Sequence, residues 1–207
     1  MLTPLALLNS IMGITERRQR QKEEVRSLIL ESAWKIAREE GWHALSIRRI
    51  ADAIEYSIPV IYAHFANKEA ILSEFTRQGF TMLADRLNET KASQPEPRQQ
   101  LEAMSQTYWD FAFEQKEYYQ LMFGLGIPAC EAVRNSPELQ QLSAIMIDSI
   151  GKAVASGPYP NADAFLKFHT YWSILHGLVS IQMIKRDADP LGQLILKDAV
   201  AGFIKSL

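Results

Sequence analysis

Apolar residues recur along this chain at helical intervals, with no stretch in the two-residue alternation of a strand. Val25, Leu28, Ile29, Ala33, Ile36 and Ala37 fall at steps of three and four, one stripe on a helix predicted to start near Thr15 and to end at Gly41. Trp42 and Leu45 follow as core plugs. Between Ser46 and Lys68 the pattern breaks into two short pieces, each opened in the same way. Leu45-Ser46 is an apolar residue followed by a hydroxyl cap, with Ile50 placed to staple against Leu45. Tyr56-Ser57 repeats the pair, with Ile61 placed against Tyr56 and Pro59 in the first turn, where a missing N–H costs nothing. The spacing predicts a helix over 47–54, a turn at Glu55-Tyr56 and a second helix from Ile58, with Ile50, Ile54, Ile61 and Phe65 as core. Such a helix-turn-helix lets one helix cross a DNA backbone while the next offers its N-terminal turns to the major groove.

Asn67 caps a further helix carrying Ile71, Leu72, Phe75, Phe80, Leu83 and Leu87. It is longer than a small three-helix domain needs, so it is predicted to connect two domains. After the polar segment 91–98 come a helix over 101–115, rich in aromatics, and a short one over 116–123. A loop at Gly124 to Pro128 is followed by a helix from Pro137, stopped by Gly157-Pro158-Tyr159-Pro160, then by helices over 162–185 and, past Asp189-Pro190, 191–204. The last two are apolar on more than one side, a surplus that a four-helix dimer interface would bury. The predicted fold class is therefore all-α with about nine helices: a flexible tail over 1–14, a helix-turn-helix domain over 15–66, a connecting helix over 67–90, and an effector-binding and dimerisation bundle over 91–207.

Composition adds limits. Hydrophobic residues make up 47% of the 207 and charged residues 22%, ordinary for a soluble globular chain. A net charge of −2 argues against a general polyanion binder. The charge is uneven, however: from Glu16 to Lys68 there are ten basic residues against eight acidic, and twelve against sixteen elsewhere. The basic ones gather at Arg17, Arg18, Arg20, Lys22 and Arg26, either a solvated helix start or an arm for a DNA backbone. The single Cys130 rules out an internal disulfide framework and fits a reducing, cytoplasmic compartment. No apolar run approaches the roughly 20 residues of a membrane span. The opening segment lacks a basic flank, so no signal peptide is expected, and Met1 and Met12 both stand as starts. Hydrolase, zinc-protease and phosphate-loop motifs are absent, and His169 and His176 lie about 10.5 Å apart along one helix. No enzyme activity, cofactor or metal is expected. With Trp172 these histidines either line a pocket or sit as hydrogen-bonded core groups.

The segment SIRRIADAIEYSIPVIYAHFANKEAIL resembles the DNA-binding domain of the TetR family of one-component regulators, from about Glu24 to Phe75. The resemblance implies that Ser57, Ile58 and Val60 face base edges, that Tyr62 and His64 touch phosphate, that Lys68 clamps the backbone, and that Arg48 lies near the groove edge, with Ser46 a further DNA-binding candidate. Two departures stand out. Glu55 occupies a turn position where the family usually has Gly, and Pro59 one where it often has Gly or a small polar residue. With Ile58 and Val60 as readers, thymine methyls and groove shape carry more of the readout than hydrogen bonds do. YWDFAFEQKEYYQLMFG and YWSILHGLVSIQM resemble the paired segments of a subset of TetR ligand domains, with Trp172 and His176-Gly177-Leu178 matching its tryptophan and histidine-glycine signature. This implies a homodimer through the last two helices and an effector pocket, for which Trp109, Phe113, Met122, Phe123, His169, Trp172 and His176 are the candidates. Two functions remain in view. One is a dimeric regulator, by resemblance a repressor, binding a palindromic operator in double-stranded DNA and released by a small, mostly apolar effector. The other is a helical small-molecule-binding protein or enzyme on the same scaffold that no longer binds specific DNA, a reading favoured by Glu55 and Ile58-Pro59-Val60.

Overall fold

The computed structural model describes residues 4–124, 136–184 and 191–207, with side chains from Gly13 onward. Among these residues there are nine α-helices and no strand. In order they are α1 (Pro4–Glu40), a 3-10 turn (Trp42–Ala44), α2 (Ile47–Ala53), α3 (Ile58–Tyr62), α4 (Lys68–Ala92), α5 (Pro97–Glu114), α6 (Lys116–Phe123), α7 (Pro137–Ala155), α8 (Ala164–Ile184) and α9 (Leu191–Lys205). The chain divides into two compact units, Met1–Leu72 and Ser73–Leu207. The division falls inside α4, whose first turn belongs to the first unit and whose remainder belongs to the second.

In the first unit the apolar stripe of α1 is buried at Val25, Ile29, Ala33, Ile36 and Ala37, joined by Trp42, Leu45, Ile50, Ile61 and Phe65. Ile54 is only half-buried and forms the edge of this core. The helix starts at Pro4 and not near Thr15. Proline in a first turn loses no hydrogen bond, and the good helix formers Leu5, Ala6, Leu7 and Leu8 let the helix run through the stretch expected to be a tail. From Ile14 to Glu24 every residue is exposed, so this part of α1 projects from the core.

In the second unit α5 is central, packing against α6, α7, α8 and α9. Tyr108, Phe111, Leu101 and Met104 of α5 are fully buried with Tyr171, Leu175 and Val179 of α8 and Ile150 of α7. Ser136 caps α7 by accepting the Leu139 N–H at 3.2 Å, with Pro137 in the first turn as its sequence position predicts. Helix α8 ends at Ile184; Lys185, the Asp189-Pro190 break, Cys130 and the loop beyond Gly124 lie outside the described residues.

Candidate nucleic-acid interface and effector cluster

The helix-turn-helix is built from two caps and a strained turn. Ser46 accepts the Arg49 N–H at 3.3 Å and sets the start of α2. Arg49 is held in place by Glu40 and by the Ala44 carbonyl at 3.1 Å, and the Glu40 carboxyl is in turn held below its usual range by its hydrogen bond to Arg49. The turn after α2 places Glu55 at φ 58°, the left-handed region, and Glu55 is the non-glycine residue there among those described. The turn therefore keeps its shape without the glycine, at the expense of local strain.

Helix α3 is one and a half turns long. Ile61 is fully buried beneath it and Phe65 closes the core at its exit, so Ile58 and Tyr62, one turn apart, face outward at 40% and 53% exposure. Ser57 differs from its expected role: its hydroxyl makes no capping hydrogen bond and is exposed. Tyr56 is 42% exposed and a weak staple for Ile61, so it joins the outward surface in place of the packing role that the apolar-cap pattern implies. Val60 is half-buried at the flank of that surface. Arg48 is exposed, its guanidinium 3.9 Å from the equally exposed Asp52, a contact worth little in water. Asn67 caps α4 by accepting the Ala70 N–H at 2.8 Å, which points the first N–H groups of α4 and the half-buried Lys68 outward from the same unit.

His64 departs from a simple phosphate ligand. Its Nδ1 is buried without a hydrogen-bond partner, and its pKa is lowered by burial first and then by the charges of Lys22 and Arg26. The imidazole is thus neutral and faces two cations of α1. Arg26 lies over the Phe65 ring at 5.0 Å.

The seven candidate effector residues separate into three places. Phe123, Trp172 and His176 come together: Trp172 stacks on His176 at 5.1 Å with the planes 6° apart, and Phe123 lies 4.6 Å from the imidazole. His169 and Trp172 also line an apolar groove of about 160 Å³ with Leu139, Leu142, Ser143, Met146 and Phe168, between α7 and α8. That is room for about one ring, since a cavity of roughly 150 Å³ takes a benzene. Trp109 and Phe113 are elsewhere. They pack on each other at 4.8 Å, Trp109 against the Gly192 backbone of α9, and Phe113 is 40% exposed. Met122 fills the notch left by Gly79 on α4. Helical spacing alone could not make this separation, because it depends on the rotation of each helix about its axis.

Beside His176 lies a pair of tyrosines that helical spacing does not distinguish from ordinary core. Tyr119 Oη is 2.7 Å from His176 Nδ1 and 3.0 Å from Tyr108 Oη, and both phenols have pKa values raised by burial, so both remain protonated. The indole N–H of Trp172, a donor only, acts on the Tyr108 oxygen. Either phenol can donate in the Tyr108–Tyr119 pair, and the direction of the Tyr119–His176 contact follows the imidazole tautomer. Burial lowers the His176 pKa, which keeps the ring neutral, with one nitrogen a donor and the other an acceptor.

Residues 29–75 match the family described as bacterial regulatory proteins, tetR family, and residues 101–190 match the tetracyclin repressor-like C-terminal domain. The chain belongs to the TetR family. The HTH-type transcriptional activator FasR of Mycolicibacterium smegmatis is 26% identical over 102 residues, 49% of this chain and 47% of that protein. The match thus spans about half the length of that relative. The TetR fold is shared with PfmR of Thermus thermophilus, at 18% identity and TM-score 0.64 over 86% of this chain and 97% of that one. It is also shared with the fatty acid degradation regulator FadR of Bacillus halodurans, at 16% identity and TM-score 0.70 over 86% and 94%. Like other TetR proteins, this chain is a transcriptional regulator with a DNA-binding helix-turn-helix.

Proposed function

We propose that the protein is a dimeric repressor that binds a palindromic operator through α2, α3 and the start of α4, and that a small, mostly apolar effector releases it. The observation that carries the DNA side is the outward surface of α3, where Ser57, Ile58 and Tyr62 are exposed above a fully buried Ile61. Ser57 and Ile58 reach base edges with Val60 beside them. Tyr62 and Lys68 bind phosphate, His64 stands behind them as a neutral side chain, and Ser46 and Arg48 flank the groove. Ile58 contacts thymine methyls, so the operator is rich in A·T pairs where α3 docks.

Dimerisation uses α8 and α9, which leave Phe165, Leu166, Ile181, Ile184, Leu191, Leu194 and Ile195 exposed. Such a surface is far more apolar than a monomer normally leaves in water. Two recognition helices then meet half-sites about 34 Å apart, or a multiple of that. The effector lies against Trp172, with the α7–α8 groove taking an apolar part and His176 Nε2 pairing with a polar group on the ligand. Its binding favours a conformation in which α4, continuous from Lys68 to Ala92, holds the recognition helices at the wrong spacing. Such a protein works in the cytoplasm, where its operator is.

Activation in place of repression is the second reading, favoured by the match to the activator FasR. Selection from random DNA followed by anisotropy and in vitro transcription tests both. A palindrome bound tightly at low salt, lost in Tyr62→Ala/Lys68→Ala, supports the regulator. Lowered transcription from a promoter overlapping the site supports repression, and raised transcription activation. Weak binding equal on every DNA would instead leave a helical ligand-binding protein that has lost its operator.

A further inference from the structure

One face of α1 changes character along its length. In the second half of the helix Val25, Ile29, Ala33 and Ala37 are buried on the core of the DNA-binding unit. At 3.6 residues per turn the same arc continues toward the N-terminus through Arg26, Lys22 and Arg18, each one turn from the next, while Glu16, Glu23 and Glu24 point away from it. The face that packs on the core therefore turns basic where the helix leaves the core behind. Lys22 and Arg18 are exposed and, among the described residues, form no ion pair, unlike Arg48, Arg49, Arg77 and Arg86, which have carboxylate neighbours. The row also joins the helix-turn-helix directly. Arg26 covers Phe65 at the exit of α3, and the charges of Lys22 and Arg26 bear on His64.

We propose that Arg18 and Lys22, continued by Arg26, form a phosphate-binding track that carries the protein's DNA contact outward from the recognition helix along the backbone. The three span about 12 Å of helix, the length occupied by about three to four phosphates of one strand. Charge decides the partner. In a chain of net −2, two uncompensated cations that lead through Arg26 to a DNA-binding helix-turn-helix complement the polyanion already docked there. The track rests on the DNA-binding reading but uses none of the residues assigned to the helix-turn-helix contact.

The test is the salt dependence of binding of the full chain to a duplex obtained by selection from random DNA and extended by ten base pairs on each side. Arg18→Ala/Lys22→Ala is compared with wild type, with the charge-matched control Arg17→Ala/Arg20→Ala, and with Lys68→Ala. Each lost phosphate contact lowers the slope of log K against log[salt] by about 0.9, so the first pair lowers it by roughly 1.8 per protomer and weakens binding at least about tenfold near 0.1 M salt. The control pair changes it much less. A slope unchanged in Arg18→Ala/Lys22→Ala overturns the track, as does an equal fall in the control pair, which would mean net charge alone. If Lys68→Ala still lowers the slope in those cases, DNA binding by the helix-turn-helix stands without the track. Absence of salt-dependent binding in wild type overturns both.

Discussion

At the scale of single residues, two groups sit in conditions they would not choose in isolation. Glu55 holds a left-handed backbone conformation that costs an L-residue with a side chain roughly 1–2 kcal/mol. Glu55→Gly relieves that strain but adds chain entropy to the unfolded state, worth about 0.5–1 kcal/mol. The expected net gain is up to about 1 kcal/mol, visible as a rise of a few degrees in the thermal midpoint with operator affinity unchanged. His176 is the second group. Burial lowers its pKa below the ordinary 6.5, so near neutrality it is uncharged in both folded and unfolded chains. As pH falls below 6.5 the unfolded chain takes up the proton first, and stability is lost through the window between 6.5 and the lower folded pKa. His64, lowered by burial and by Lys22 and Arg26, acts in the same direction. The thermal midpoint therefore drops as pH falls through and below 6.5, and His176→Gln flattens part of that slope. A slope unchanged by the substitution would put the pH sensitivity elsewhere.

At the scale of elements, close approach of backbones decides which helices can shift. Gly157, just past α7, lies so near the chain's last residue that a Cβ there would stand 2.3 Å from the Leu207 carbonyl oxygen. Leu207 is fully buried and its carbonyl accepts from Arg98 at 3.2 Å, so it cannot give way cheaply. Gly157→Ala should cost about 1–3 kcal/mol, measured by urea or thermal unfolding. Element by element, the caps explain what was legible in the sequence. Ser46 and Asn67 each accept an N–H of the helix they are expected to cap, and the helices after them, like the one from Pro137, start where the residue pattern puts them. Ser57 carries the same signature and makes no such bond, because residue type reports the capacity to cap and not the rotamer. The start of α1 is illegible for a related reason. Helix propensity over Leu5 to Leu8 is a local preference, and the periodicity of a core-facing stripe does not register it. The effector candidates are legible as a group but not as a site, since Trp109 and Trp172 look alike in sequence and face different neighbours.

At the scale of the whole molecule, the exposed apolar residues of α8 and α9 are the face on which the proposed dimer is tested. Leu166→Glu/Leu194→Glu is expected to give a monomer in sedimentation velocity, with helical content intact by circular dichroism. Operator affinity should fall by orders of magnitude, because two half-sites then bind independently. A double variant that remains dimeric would move the interface to another face. The projecting part of α1 has a further consequence. From Ile14 to Glu24 every residue of the helix is exposed, and such a segment opens locally far more often than the core does. Arg17, Arg18, Arg20 and Lys22 make that stretch a run of trypsin sites. Limited digestion should nick there first and leave the helix-turn-helix intact, and bound duplex should slow the cut, so the ordering of this arm becomes readable on a gel.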